Sequence, residues 1–543
     1  MGMLMASLKN NHSRSESDYK IYYLTLLAIV IFALAYSITF TDGPSYFGDD
    51  VTYLNLAYNV IHGNFVESGY IFSIRLMQIL PIALSYKLFG VSILSSSAWD
   101  ITSYIGIIIV SFFMAKELFN NLAAVSAAAL AAFFPLIVVY SSTINEDIPL
   151  AFLTSLALLS ILYAQRRKSG MWYAASGILL VASFLVSPEA AAVGIIVVLY
   201  LAIEVICKRI KIDRVSMHFA YGIAIALIIL MAFNYLNANN PLITFDVNLH
   251  FYSAVGGINT IPSTNVDPMF YFNVMFPYHF YSQLSSAMAF QGIAGISIPN
   301  MVQYVISTDQ NTSTGFYFYV LVAAIIYLAA TKEKRAYFPL FFLIAGFLYL
   351  EFGPMHISLS PFEYLLCYRL DRFLMIIAVP LVVTLGMAVA KLVQDNALKS
   401  KYITSVFAFV IIAFLIATSV PINLNWHQVV VYQRYDQIAI SNYLSGVSSF
   451  ARIYFPNSDP SINIYSKFNN DVRFIPYASF VNCSIFPSGS YVVLPSYPPI
   501  AATDNITSCP SWQLLLSPSP QGQFPEWIQG EGKMALAKLY YVK

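Results

Sequence analysis

The sequence predicts an all-α polytopic membrane protein of about eleven spans with a small extracytoplasmic C-terminal domain, α/β or mostly β. Three observations predict it. Of 543 residues, 58% are apolar and only 10% charged, where soluble domains carry about a quarter charged residues. Ile21 to Phe40 contains no Asp, Glu, Lys, Arg or His, and a helix of that length crosses about 30 Å of hydrocarbon. Beyond residue 421 the texture changes to strand-like alternation, as in "ARIYF" and "YVVLP", with many Pro, Ser and Asn. The 28 basic and 27 acidic residues nearly cancel, so no global field points to a nucleic-acid partner.

Residues 1–20 are expected as a cytoplasmic tail and 21–421 as the membrane domain. Spans are expected near 21–40, 95–114, 121–141, 149–165, 171–187, 189–206, 217–236, 315–331, 337–352, 371–391 and 402–421. No small-residue cleavage site follows the first run, so it is expected as a retained span rather than a signal peptide. The tail and alternate loops hold Lys9, Arg14, Lys20, Lys116, Arg166, Arg167, Lys168, Lys208, Arg209, Lys211, Arg214, Lys332, Lys334, Arg335, Lys391, Lys399 and Lys401. The opposite loops hold only Arg75, Lys87, Arg369 and Arg372 before the C-terminal segment. Positive charge stays inside, so the N-terminus is expected in the cytoplasm and residues 422–543 outside, in the cell membrane or an ER-type membrane. Phe72 to Gly90 is apolar enough to span. A span there would reverse every later loop, so it is expected as an interfacial helix within a first external loop, 41–94. A second long external loop, 237–312, carries the aromatic stripe "MFYFNVMFPYHFY", expected as interfacial packing.

Among the cysteines, Cys483 and Cys509 fall in the external domain and are a candidate disulfide, with two free thiols the equal alternative. Candidate N-glycosylation sequons stand at Asn311, Asn482 and Asn505, with a fourth match at Asn11 on the cytoplasmic side. The isolated histidines show no metal-ligand spacing, and no P-loop or dinucleotide fingerprint is present.

The external edge gathers acids and arginines: Asp49 and Asp50, Glu146 and Asp147, Glu189, and Arg369 with Arg372. A lone acid at a helix end is ordinarily just solvated. Two acidic doublets and an Arg-x-x-Arg on one face make that reading less adequate, because ionisable groups near a bilayer tend to mark sites. Arg369 and Arg372 lie three residues apart, on one side of a helix. They either clamp a phosphate or snorkel to head groups.

The stretch "GDDVTYLNLAYNVIHGN" resembles the first-loop signature of the GT-C glycosyltransferases, particularly their protein O-mannosyltransferase and aminoarabinose transferase branch. The shared positions are Asp49, Asp50, Tyr53, Ala57 and Gly63. "RLMQILPIALSYKLFG", "STINEDIPLAF" and "YRLDRFLMIIAVP" are similar to later segments of that branch in the same order. The Trp-Trp-Asp motif of oligosaccharyltransferase subunits is absent, Trp99–Asp100 lying elsewhere, and no inserted repeat domain interrupts the long loop.

The resemblance implies a sugar donor carried on polyprenyl (dolichyl) phosphate and inversion at the anomeric carbon, with a protein, glycan or lipid hydroxyl as acceptor. It makes Asp49 the base. Asp50 either raises the pKa of its neighbour by like-charge repulsion or binds acceptor hydroxyls. Glu146, Asp147 and Glu189 are candidates for orienting substrate, and Arg369, Arg372, Arg75 and Lys87 for the lipid phosphate. No cofactor is expected; a magnesium or manganese ion on these carboxylates is the less favoured alternative. The rival readings are a transporter or lipid-linked-sugar flippase and a non-catalytic scaffold.

Overall fold

A computed structural model describes residues 2–41, 50–141, 143–209, 213–257, 316–359, 362–366, 371–447, 451–456, 473–477, 486–494, 509, 511–518 and 538–543. All eleven stretches expected as spans are helical. They are α1 (Gly2–Thr39), α4 (Ile93–Leu118), the pair α5 (Asn121–Phe133) and α6 (Pro135–Ser141), α7 (Asp147–Arg167), α8 (Gly170–Phe184) and α9 (Ala190–Ile206). The rest are α10 (Arg214–Ala238), α12 (Tyr317–Ala330), α13 (Tyr337–Phe352), α14 (Met375–Gln394) and α15 (Lys401–Ser445). Among the described residues, seven helices are long and apolar enough to cross a membrane, and up to eight if the bent α5/α6 pair is one span. Helices α8, α9 and α12 are apolar but shorter, so the expected count of eleven is not reached on length.

Helix α14 is the hub. It is apolar on every side, and each residue from Met375 to Ala390 is buried, the pattern of a helix enclosed by others. It packs against α4, α5, α7, α12 and α13. The tightest approach is to α5, whose buried Ala123, Ala124, Ala127, Ala128 and Ala131 bring the backbones together. A Cβ on Gly386 would stand 2.7 Å from the Ala123 carbonyl oxygen. Gly177 on α8 and Gly222 on α10 serve a second close crossing in the same way.

Helices α5 and α6 meet at a 53° bend. Pro135 has no N–H to continue the ladder, and in a bilayer the freed carbonyls need partners. Tyr104 donates its hydroxyl to the Ala132 oxygen at 2.6 Å, and Tyr317 to that of Leu130 at 3.1 Å. The bend turns the chain into the loop that starts α7.

The first loop folds as α2 (Asp50–Ile61), a 3₁₀ turn (Ile71–Ile74) and α3 (Leu76–Phe89). Twelve and fourteen residues make helices of about 18 and 21 Å, short of the hydrocarbon thickness. They pair through Val51, Leu54, Ala57, Ile79, Ile82 and Tyr86, with Ile144 wedged against them. Gly63 takes a φ of 73° just beyond α2, where a Cβ would be strained. In the second long loop, α11 (Ile243–Gly257) is described; the stripe 269–281 lies outside the described residues. Strands β1 (Pro354–Leu359) and β2 (Phe362–Leu366) form an antiparallel hairpin leading to Arg372.

Helix α15 does not end with the apolar stretch at 421 but continues to Ser445. Its last turns bury Gln437, Ile440, Ser441 and Leu444, a helical spacing that lays one stripe on a C-terminal sheet. That sheet has five described strands: β3 (Arg452–Pro456), β4 (Arg473–Tyr477), β5 (Ser490–Leu494), β6 (Trp512–Leu516) and β7 (Lys538–Val542). Their order is β4-β3-β5-β7-β6, with β3 parallel to β4 and β5 and the other pairs antiparallel. Ile453, Phe455, Val493 and Leu539 meet Ile440 and Leu444 on one face. Val492, Leu494, Tyr540 and Val542 pack with Phe486 on the other, the period-2 alternation of strands. Cys509 is disulfide-bonded. Cys483 and the sequons at Asn311, Asn482 and Asn505 lie outside the described residues.

Candidate active site

Helices α7 and α9 begin at the same end of the bundle, where α2 and α3 rest on it. Here the sequence-distant charges meet. Arg75, the residue between the 3₁₀ turn and α3, donates to Glu146 Oε1 at 2.7 Å. The Tyr53 hydroxyl, fully buried on α2, donates to Glu146 Oε2 at 3.1 Å. Both carboxylate oxygens of Glu146 are therefore held. Arg372, ahead of α14, pairs with Asp147 Oδ2 at 3.4 Å. Each guanidinium also faces a ring, Arg75 over Phe72 at 5.5 Å and Arg372 over Phe373 at 5.7 Å. Asp50 opens α2 at 2% exposure, its Oδ1 accepting from the Val51 N–H at 2.9 Å.

The electrostatics bind these groups into one cluster. Burial opposes the charge of Glu146, but Arg75 and Arg372 outweigh it and hold this carboxyl below its usual range. Glu189, half-buried just ahead of α9, is pushed up to about 8, first by burial and then by the charges of Asp147 and Glu146. One carboxyl ionised and one inclined to keep its proton is the division of labour that acid–base chemistry uses.

Between α8, α9, α10 and α11 runs an apolar cavity of about 460 Å³. Leu180 and Phe184 of α8, Ala190, Ala191 and Gly194 of α9, Phe219 and Ile223 of α10 and Phe245 of α11 line it. Its lining residue Ala190 follows Glu189 directly in the chain.

The structure thus brings together Asp50, Arg75, Glu146, Asp147, Glu189 and Arg372. Lys87 is exposed in the last turn of α3, about 18 Å along the helix from Arg75, and does not join them. Asp49 and Arg369 lie outside the described residues. Among the described residues, no group of three His, Cys, Asp or Glu side chains is arranged to hold a metal ion.

Sequence reasoning did not assign two acids. Asp100 on α4 is fully buried and accepts the Asn145 N–H at 3.1 Å. Its only sequence signal was an acid inside an apolar run. Glu67 is 2% exposed, with neither carboxylate oxygen hydrogen-bonded among the described residues, and desolvation pushes it up to about 7.

Residues 76–235 match the family described as dolichyl-phosphate-mannose-protein mannosyltransferase. No curated protein matches the chain by sequence. Among solved structures, ArnT from Cupriavidus metallidurans bound to undecaprenyl phosphate is similar with a TM-score of 0.56 at 13% identity, over 95% of this chain and 97% of that one. The Archaeoglobus fulgidus oligosaccharyltransferase tethered to an acceptor peptide with the NVT sequon is similar with a TM-score of 0.51 at 14% identity, over 88% of this chain and 70% of that one. The segment from α3 to α10 thus matches a mannosyltransferase family model, and the chain shares the fold of the membrane protein ArnT along nearly its whole length.

Proposed function

We propose that this protein is an inverting glycosyltransferase that moves a hexose-like sugar such as mannose from a polyprenyl-phosphate carrier to a hydroxyl of a protein, glycan or lipid on the external face of the membrane. The observation that carries the reading is the convergence of Asp50, Arg75, Glu146, Asp147, Glu189 and Arg372, from five separate stretches, at one end of the bundle. Burying that many charges is expensive, and a binding site for a phosphorylated, polar substrate accounts for it.

In the proposed step Asp49 takes the proton of the acceptor hydroxyl as its oxygen attacks the anomeric carbon. The bond from that carbon to the phosphate oxygen breaks, and the lipid phosphate leaves with the electron pair. Arg75 and Arg372 balance the charge that develops on it. A guanidinium carries five N–H donors in a fork, so one edge can stay on Glu146 or Asp147 while another meets phosphate. Arg369 is assigned as their partner. Glu146, Asp147 and Glu189 orient hydroxyls of donor or acceptor, and Asp50 supports the charge state of its neighbour. The first isoprene units lie in the cavity between α8, α9 and α10. The scheme uses side chains alone, with no resident cofactor. The undecaprenyl phosphate of the ArnT structure supports a carrier of this class.

The test is purified protein in liposomes with isotope-labelled polyprenyl-phosphate mannose and a panel of protein, glycan and lipid acceptors. Labelled product that disappears in Asp49→Asn supports the reading. Movement of intact donor across the bilayer without transfer identifies a flippase instead.

A further inference from the structure

We propose that Asp100 is a positioning residue that sets the acidic turn of the site, an assignment that rests on the transferase reading above. The turn between α6 and α7 carries Asn145 and Glu146 and leads into Asp147, the first residue of α7, and outside a helix its N–H groups need partners from elsewhere. Asp100, fully buried on the second turn of α4, supplies one: its Oδ1 accepts the Asn145 N–H at 3.1 Å. The Asn145 side chain passes the constraint on, its Oδ1 accepting the Asp147 N–H at 2.8 Å, an Asx-type tie that fixes where α7 starts. Glu146 and Asp147, pinned from behind, then face Arg75 at 2.7 Å and Arg372 at 3.4 Å.

An apolar residue at 100 would pack as well in the membrane. The Asp100 carboxyl offers what an apolar side chain lacks, a buried acceptor oxygen aimed at the Asn145 N–H. Asp100 touches no reacting atom in this account; it acts through the turn.

The role separates acceptor from charge, and two variants read it. Asp100→Asn keeps an oxygen for the Asn145 N–H, whereas Asp100→Ala removes it. Amide hydrogen exchange of the peptide spanning 143–150, measured on full-length protein in detergent, is expected to speed up roughly 10- to 100-fold in Asp100→Ala, the equivalent of leaving one buried donor without its acceptor. It should stay near wild type in Asp100→Asn. In the transfer assay Asp100→Ala is expected to lower kcat about 10- to 100-fold, as misplacement of a site does, with the KM for the lipid donor within about twofold. Asp100→Asn should keep kcat within about threefold. Unchanged exchange in Asp100→Ala, or an Asn variant as impaired as Ala, overturns the proposal. If Asp100→Ala does not fold, the Asn variant decides alone: it must keep both protection and kcat. Should the wild type transfer no sugar, the transferase reading fails, while the exchange measurement still decides what Asp100 does to the turn.

Discussion

At the end of the bundle where α7 begins, Arg75 and Glu146 meet with side chains 10% and 7% exposed, and Arg372 and Asp147 with 22% and 1%. At the end where α4 and α7 stop, Arg166 and Glu117 stand 3.4 Å apart with 42% and 27% exposed. The same charge chemistry has different consequences in the two places. An exposed pair is worth about 0–1 kcal/mol. A buried pair does not repay its desolvation unless each member keeps its partner, and losing one member costs about 3–5 kcal/mol. Stability alone would favour apolar side chains at the buried end, so the charges retained there point to chemistry. The exposed end carries the basic residues on which the expected orientation rests.

The largest expected effect belongs to the proposed base. Asp49→Asn should lower transfer by about 10²- to 10⁴-fold, the usual contribution of a general base; normal turnover would remove Asp49 from its role. Next, Arg75→Met removes the ion-pair partner that stands 2.7 Å from the buried Glu146. It should lose about 3–5 kcal/mol of stability, whereas Arg166→Met should lose at most about 1 kcal/mol. Equal losses in denaturation would dissolve the contrast between the ends. Tyr53→Phe removes one donor to Glu146 and should weaken stability by about 1.5–3 kcal/mol, measured in the same way.

A smaller signature is a slope with pH. The folded protein holds Glu189 protonated up to about 8, above the range in which it ionises in the unfolded chain. Its contribution is complete at acid pH and is lost as pH rises toward 8, because the unfolded chain ionises first. The thermal midpoint should therefore fall between pH 5 and 8.5, and by less in Glu189→Gln. A slope identical in the two proteins would show that Glu189 does not titrate as the cluster requires.

The helices were legible because long apolar runs must satisfy their backbones internally, and runs such as 371–391 admit no other form. The ends at which Glu146, Asp147, Glu189 and Arg372 gather were legible from loop charge. The pairing within the cluster was not: Arg75 and Glu146 are 71 positions apart, and contacts at that separation leave no local pattern. Tyr53 is part of the first-loop signature, but only its position against Glu146 supplies the physical reason. Asp100 escaped assignment because its partner is a backbone N–H, which no side-chain motif encodes. The continuation of α15 past 421 was missed because its later turns swap a lipid-facing stripe for a sheet-facing one, and composition registers only the change of texture.

Where the lipid phosphate lands is the most direct test. A polyprenyl phosphate with a photoreactive group beside the phosphate should label peptides containing Arg75, Glu189 and Arg372 and the neighbouring α9 residues Ala191 and Gly194. Labelling confined to the opposite end, around Arg166 and Lys208, would contradict the account.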